Sequence, residues 1–357
     1  VRPNDVQLVV STLIFGMGFG QLLFGPLSDS FGRKPVMAAG FILFTFGCLM
    51  SIFAATYETM LAGRFLQGLG AAGPRTATIA LIRDKYDGRA MAGIMSAIMA
   101  VFIFVPAIAP ALGQAVLLTM SWRAIFAVLM LQGMIAVTWL WLRQPETLAR
   151  ENRTPFSARR ISSGFYNVCT TRLSMGYTLA AGFMSGVLLS YLNCAQQIYQ
   201  GIYRLDREFP IYMAVIALSL GSASFINSRI VGRFGMRRLS YRAVIGFILL
   251  MTGYLAAMLV MGGQSPFWLF MLVFSMSFFC LGILFGNLNA IAMGPLGHIA
   301  GIGAAVIGSL TNLISSPLSA VVGQYYNGTT FPLALGCAVL GIFTIVSMVW
   351  ADRSRTV

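Results

Sequence analysis

The segment GPLSDSFGRKP, residues 25–35, is a short polar turn between two long apolar runs. Each run is about 20 residues long, the length that a helix needs to cross the hydrocarbon core of a bilayer. Runs of this kind recur along the whole chain, which has 357 residues and is 58% hydrophobic but only 10% charged. A soluble domain carries about 25% charged residues. The sequence therefore predicts an all-α polytopic membrane protein.

Turn and loop signals divide the chain into a series of predicted spans. We place eleven spans, at residues 6–27, 36–55, 60–82, 91–118, 123–142, 173–195, 209–229, 241–261, 267–290, 300–323 and 331–350. Most of the 24 lysines and arginines fall in alternate loops, on the side that also holds the C-terminus. Because cytoplasmic loops carry the excess of positive charge, we expect this side of the protein to be cytoplasmic.

Residues 143–172 form the only long polar stretch, and we expect them to be a cytoplasmic central loop. They separate an N-terminal half, residues 1–142, from a C-terminal half, residues 173–357. The sequence RFGMRR at 233–238 echoes SFGRKP at 30–35, which indicates that the two halves follow one plan. Paired membrane halves with a binding site between them are typical of secondary transporters.

The alternation of loops places Val1 outside the cell, although the first five residues, VRPND, are not a signal peptide and do not begin with Met. One interpretation is a genuine eleven-span protein with an external N-terminus. We favour the other interpretation, in which a preceding span is absent from this chain.

The turn at 25–35 resembles the signature G-x-L-x-D-x-x-G-R-K of the major facilitator superfamily. The matching residues include Gly25, Asp29, Gly32, Arg33 and Lys34. In that family the aspartate braces a neighbouring helix end and helps to hold the outward-facing state, so the resemblance implies a conformational latch. An ordinary basic loop that sets topology is the alternative. The second-half echo has Gly232 where Asp29 stands, so we expect no latch there.

The sequence RFLQGLGA at 64–71 resembles a second signature of the superfamily, R-x-x-Q-G-x-G-A in its fourth helix. Together with SWRAIF at 121–126, QPETL at 144–148 and AMGPLGHIAG at 292–301, it makes the chain resemble the Bcr/CflA branch of drug:proton antiporters. The resemblance covers essentially the whole chain. It implies two pseudo-symmetric six-helix halves, with the first helix of the family preceding Val1.

Arg64 and Arg75 lie inside a predicted span, where each arginine costs about 2.5–3.5 kcal/mol near the bilayer centre. With Gln67 they share one stripe of a helix. The resemblance implies a role for Arg64 and Gln67 in transport and coupling, and the shared stripe predicts the same role for Arg75. Snorkelling of the arginines to the interface is the alternative. All ten Asp and Glu residues lie in loops or at span ends. The resemblance implies an aspartate on the absent first helix, and we hypothesise that the arginines pair with this acid, shared with an anionic group of the substrate.

The span that contains VPAIAPALGQ, residues 105–114, loosely resembles the antiporter signature G-P-x-x-G-G. Pro106 and Pro110 stand one turn apart and free backbone carbonyls, so together with Gly113 they predict a bend in this helix. A bent helix beside the cavity would serve a rocking motion of the halves. A merely structural kink is the alternative.

The leading functional hypothesis is export of small amphipathic drugs or toxic compounds in exchange for protons, by alternating access. The candidate lining residues are polar side chains in the second-half spans: Tyr177, Tyr191, Asn193, Asn287, Asn289 and Asn312. Hydrogen bonding between helices is the alternative role for each of them. The alternative functions are a dedicated exporter or importer of one metabolite, a transport-inactive fragment and a membrane receptor.

The same observations bound the partners. We expect a multi-pass protein of the bacterial inner membrane, monomeric, with a small-molecule substrate and the lipid bilayer as its partners. The net charge of +14 is spread over loops on one side, so we expect no nucleic acid. The spans hold no Ser/His/Asp constellation, His298 is the single histidine and the five cysteines lack metal spacing, so we expect no enzyme, no metal and no cofactor beyond the proton gradient.

Overall fold

The computed structural model describes residues 5–86, 94, 98, 105, 108–205 and 208–353. Every regular secondary-structure element in the described part of the chain is a helix. Its helices are α1 Val6–Phe31, α2 Arg33–Ile52, α3 Tyr57–Lys85, α4 Ile108–Thr119, α5 Arg123–Arg143, α6 Ala158–Thr170, α7 Arg172–Gln196, α8 Phe209–Phe234, α9 Met236–Val260, α10 Phe267–Met293, α11 Ala300–Gln324 and α12 Phe331–Asp352. A π-helical turn, Gln197–Ile202, extends α7.

Nine of the helices in the described ranges are long and apolar enough to cross a membrane, which confirms an all-α polytopic protein. The predicted span 60–82 coincides with α3, which is 29 residues long but is not among the nine and carries both interior arginines. Within the predicted span 91–118, the structure describes one continuous stretch, residues 108–118, and this stretch belongs to α4. The rest of that span, apart from three isolated positions, lies outside the described residues.

Within residues 143–172, which we expect to form the central loop between the two halves, the structure places the helix α6. The division of the chain into halves stays a prediction. Ser157 begins this helix as an N-cap, since its hydroxyl oxygen accepts a hydrogen bond from the Arg160 N–H. Gly164 and Val168, one turn apart, are buried. A Cβ at Gly164 would overlap the Ile302 side chain of α11, so α6 lies directly against the start of that helix. An amphipathic helix can form in so polar a stretch because one narrow face is covered.

The helices form two groups. In the first group α3 lies between α1 and α2, and α5 packs on α2. In the second group α7 packs against α10, α11 and α12, while α8 and α9 pack on α10. The second group has one large apolar core, and the first has a small cluster of Phe24, Val36 and Ala72. Helix α1 joins the groups because it also packs along α11.

Two glycines of the RFLQGLGA motif explain how closely the first group packs. A Cβ at Gly68 would overlap the Leu13 carbonyl oxygen of α1, and a Cβ at Gly70 would overlap the Phe44 backbone N of α2. The two glycines therefore face different neighbours, and α3 is held between them at backbone contact. Such close approach of small residues is how membrane helices gain packing energy in the absence of a hydrophobic driving force.

Candidate transport site between the helix groups

The turn between α1 and α2 is a compact ion-pair cluster centred on Arg33. Gly32 joins the helices at a φ of 108°, which favours glycine. Arg33 is only 3% exposed, and its NH1 lies 2.5 Å from Asp29 Oδ1 while its Nε donates to Asp84 Oδ2 at 2.8 Å. NH1 also donates to Ser28 Oγ at 3.1 Å. The turn thus ties the end of α1 to the end of α3.

Glu146 of the QPETL run holds the same turn from the other side. Its two carboxylate oxygens accept hydrogen bonds from the backbone N–H groups of Arg33 and Lys34, both at 3.0 Å, so the carboxylate caps the start of α2. The N–H groups of Thr147 and Leu148 donate to it as well. Burial alone would raise the pKa of the Glu146 carboxyl, but these four backbone donors hold the pKa below its ordinary value.

We expect Glu146→Gln to destabilise the protein at neutral pH, and the difference from the wild type to shrink on acidification. A carboxyl whose folded-state pKa is depressed contributes stability that is present above its unfolded-state pKa, about 4.3 for glutamate, and that is lost as the pH falls through the lower folded-state value. The check is the melting temperature of both proteins in detergent between pH 7 and pH 3. A difference that stays constant over this range would contradict the role of the carboxylate charge.

Beside this turn, a cavity of about 170 Å³ opens between the two helix groups. Its walls come from α1 and α3 of the first group and from the first turns of α11 in the second. Asp29 lines it, and so does Gly25, where a Cβ would lie 3.2 Å from the Ala305 Cβ of α11. The lining residues are Gln21, Gly25, Pro26, Ser28, Asp29, Arg75, Thr76, Ile79, Ala80, Gly301, Ile302, Ala304, Ala305 and Gly308.

The two interior arginines of α3 occupy different surroundings. Arg64 is half-buried; its Nε donates to the Val9 carbonyl at 3.1 Å and its NH1 to Gln67 Oε1 at 2.8 Å. Gln67 is fully buried and in turn donates to the Cys48 sulfur at 3.0 Å. Arg75 is exposed and lines the cavity. Among the described residues neither arginine makes an ion pair.

At the opposite end of α1, a polar seam closes the contact between the helix groups. We use this name for Gln7, Ser11, Asn193, Gln197, Ser316 and Ser319. Gln7 Nε2 donates to Gln197 Oε1 at 2.8 Å, Asn193 Nδ2 donates to Ser11 Oγ at 3.1 Å, and Ser316 Oγ donates to the Ser11 carbonyl at 2.5 Å. All but Gln197 are at most 9% exposed. The seam holds α1 in the groove between α7 and α11.

Of the candidate lining residues, four lie in contacts between helices. Tyr177 donates to Asp352 Oδ2 of α12 at 3.0 Å. The Tyr191 ring packs on the Phe278 ring of α10 at 4.8 Å between ring centres, and its hydroxyl is hydrogen-bonded to Tyr199 at 3.0 Å. Asn287 forms a reciprocal pair of 3.0 Å bonds with Asn227. Asn193 belongs to the polar seam.

The remaining candidates lie elsewhere. Asn289 is exposed and donates to the Phe285 carbonyl of its own helix, and Asn312 lies on α11 beside Gly18 of α1. Pro110 and Gly113 lie in α4, with open space around Gly113, whereas Pro106 is outside the described residues. The structure therefore does not gather the candidates around one cavity, and their lining role stays a prediction.

The second-half echo of the latch has its own carboxylate. Gly232 lies in open space, but Asp352 of α12 accepts hydrogen bonds from Tyr177 and Tyr241, at 3.0 and 3.1 Å, and lies 3.4 Å from Arg237 NH1. These contacts join α7, α9 and α12 within the second group.

Our reading of the sequence missed two features of the site. Gln21 lines the cavity from α1, and Gln7 and Ser11 form the polar seam. These three residues lie at intervals of four and ten along α1, so their signal in the sequence was a set of uncharged polar side chains in an otherwise apolar run.

Comparison with known proteins shows to which family the chain belongs. The chain is 30% identical over 350 residues to a bicyclomycin resistance protein homolog of Haemophilus influenzae, covering 96% of this chain and 86% of that protein. It is 26% identical over 363 residues to the multidrug resistance protein MdtL of Citrobacter koseri, covering 98% and 88%.

The fold is that of the xylose transporter XylE from E. coli in a partially occluded inward-open conformation, with a TM-score of 0.72 at 13% identity, covering 98% of this chain and 88% of that one. The sequence pattern of the Major Facilitator Superfamily matches residues 1–320. The protein is thus a multi-pass membrane transporter of small molecules and not an enzyme, and its chain belongs to the Major Facilitator Superfamily.

Proposed function

We propose that the protein exports small amphipathic compounds, drugs among them, in exchange for protons, by alternating access to a site between its two helix groups. The proposal rests on one observation: the interface between the helix groups, formed by α1 and α11, is closed at one end and open at the other. Buried hydroxyl and amide groups close the interface at the polar seam, while a cavity of about 170 Å³ opens beside the ion-pair turn. Alternating access needs an interface that is closed at one end while the other end admits solute.

The polar character of the seam suits an interface that must open. Its contacts are made by neutral groups such as Ser11, Ser316 and Asn193, which water can satisfy when the groups separate. A net hydrogen bond contributes only about 0.5–1.5 kcal/mol. The seam therefore favours the closed state without making it irreversible.

Drug substrates are supported by the names of the relatives, which are resistance proteins for bicyclomycin and for multiple drugs. For the proton, Arg64 is the residue of interest, because Val9 and Gln67 hold its charge at a fixed place in the interior. A fixed cation lowers the pKa of a carboxyl that approaches it, so the approach of an acid releases its proton. Arg64 and Gln67 thus act in coupling.

The proposed setting is the bacterial inner membrane, with a monomer whose C-terminus and central loop are cytoplasmic. In this orientation the ion-pair turn is cytoplasmic, the cavity faces the cytoplasm and the polar seam faces outward. An exporter that collects its substrate from the cytoplasm requires this arrangement.

The test is proton movement driven by substrate in everted membrane vesicles that are acid inside. We expect bicyclomycin to release protons from wild-type vesicles, as read by a pH-sensitive dye, and Arg64→Gln to lower the rate at least about tenfold, since a charged hydrogen bond contributes about 1.5–3 kcal/mol. Arg172→Gln is the matched control, because Arg172 lies at the start of α7 and donates to the Trp350 carbonyl, away from the site. Accumulation of bicyclomycin without proton release would contradict exchange, and release by one metabolite alone would favour a dedicated transporter.

A further inference from the structure

The cavity beside the ion-pair turn has the size of part of a ligand. Its volume of about 170 Å³ holds several water molecules, each taking about 30 Å³ in the liquid, but it is smaller than the pockets of about 300–1,000 Å³ that enclose whole drugs. It can receive one polar group of a molecule whose remainder lies further along the interface.

Arg75 supplies this cavity with a positive charge. It lies ten residues before the end of α3, about 15 Å along the helix axis at 1.5 Å per residue, and within the predicted span 60–82. Its NH1 contacts the Met17 sulfur at 3.2 Å, a weak acceptor, and within the described ranges no carboxylate is at ion-pair distance. A guanidinium here needs an anion or water to offset its desolvation.

Gln21 supplies a second, independent polar group. It is 5% exposed, lines the same cavity, and lies one turn from Met17 on α1. Its amide makes no hydrogen bond to another described residue, and its Oε1 rests against Gly308, 2.7 Å from where a Cβ would stand. Because this side chain lines the cavity, a ligand or water bound there can hydrogen-bond its amide.

Asp29 lines the same cavity, but its negative charge is already compensated. Its carboxylate is paired with Arg33, which also pairs with Asp84. The first turn of α11, with Gly301 and Ile302 on the cavity wall, adds the partial positive charge of a helix N-terminus. The inner part of the cavity therefore presents a full cation and a free amide, which together recognise a planar or tetrahedral anionic group.

We propose that Arg75 and Gln21 form a subsite for the anionic group of an amphipathic substrate, a carboxylate or a sulfonate. The inference rests on the proposed function for the kind of substrate, and it adds that organic anions are preferred over neutral molecules of the same shape. The apolar remainder of the substrate extends from the cavity between α1 and α11.

The test uses two dyes that differ by one sulfonate: 1-anilinonaphthalene-8-sulfonate and neutral N-phenyl-1-naphthylamine. Binding of each to the purified full chain in detergent is measured by fluorescence, and the quantity compared is the ratio of the neutral dye's Kd to the anionic dye's Kd. We expect Arg75→Gln to lower this ratio about tenfold, Gln21→Leu to lower it about threefold, and Arg75→Lys to keep it within about threefold of the wild type.

A second variant covers the case in which Arg75→Gln fails to fold. Ile79 is 46% exposed, lines the cavity and lies one turn after Arg75, so Ile79→Glu places a carboxylate beside the intact arginine and is expected to lower the ratio about tenfold. Arg229→Gln is the control for loss of one charge, because Arg229 is exposed on α8 over the Phe225 ring. An unchanged ratio in the folded cavity variants, or an equal fall in Arg229→Gln, would overturn the subsite.

The binding ratio and the vesicle assay separate the two proposals. A ratio that depends on Arg75, with no proton release by any compound, would support the subsite and contradict proton exchange. Proton release with a ratio that ignores Arg75 would support exchange and contradict the subsite.

Discussion

We expect Gly68→Ala to destabilise the protein by about 3 kcal/mol or more, at the upper end of what overpacking costs. The added Cβ would overlap the Leu13 carbonyl oxygen of α1, and this atom is backbone in the middle of a helix, so no side chain can rotate away. To admit the methyl group, α1 and α3 must separate along their length. That movement also disturbs the neighbouring close contact at Gly16, whose Cβ position faces the Phe65 carbonyl.

The measurement is the melting temperature of the purified protein in detergent, read by size-exclusion chromatography after heating. Gly253→Ala is the matched control, because Gly253 is an exposed position inside α9 with open space around it. There the same substitution removes backbone freedom without a clash, and we expect it to be neutral or to stabilise by up to about 1 kcal/mol. Equal melting temperatures for the two variants would show that α1 and α3 are not in backbone contact.

The second large effect on stability and transport is expected for Arg33→Gln. The side chain of Arg33 is 4% exposed, and its removal leaves Asp29 and Asp84 as two carboxylates without their shared cation. Removing one partner of a buried pair costs about 3–5 kcal/mol. Because Asp29 and Asp84 retain 36% and 19% exposure, water screens part of the repulsion, and we expect a loss of about 2 kcal/mol. Proton release in vesicles should fall at least about tenfold, since this turn borders the cavity.

The control is Lys34→Gln, which removes a neighbouring cation whose Nζ lies over the Trp141 ring, 4.6 Å from its centre. The backbone N–H of residue 34 keeps its bond to Glu146 in that variant. Adding Asp84→Asn to Arg33→Gln removes one of the uncompensated charges and should recover part of the melting temperature. If Lys34→Gln is as harmful as Arg33→Gln, the effect is loss of positive charge from the loop and not loss of the ion pairs.

The sequence predicts the class of fold well, because a span is a property of a continuous run and α1, α2 and α5 can each be recognised without their neighbours. The sequence does not show which neighbouring helix a given side of a helix faces. Gly68 and Gly70 are recognisable as a motif, but only three-dimensional packing shows that one faces α1 and the other α2. In the same way, Tyr191 and Asn287 are polar residues in apolar runs. The runs do not show that both side chains are buried in contacts with neighbouring helices.

For the site, the stripe that joins Arg64 to Arg75 follows from helical periodicity. Their separation follows from length, since eleven residues extend about 16 Å along a helix. The stripe therefore does not place them at one site: Arg64 bonds to α1 and Gln67, and Arg75 reaches the cavity. Gln21 could not be predicted, because a single amide in an apolar run has the same pattern whether it contacts a helix or a cavity.

The contacts around helix α6 show which part of the central loop packs against each helix group. Residues before it belong to the first group, since Glu146 caps α2 and the Thr154 N–H donates to the Asp29 carbonyl at 3.1 Å. Residues from Ser157 onward belong to the second, through the contact of Gly164 with Ile302. Two polypeptides separated at residues 155–156 would each keep these contacts within one piece. The two helix groups are thus connected at Pro155 and Phe156, and the polar stretches on both sides of this dipeptide pack against the group that each adjoins.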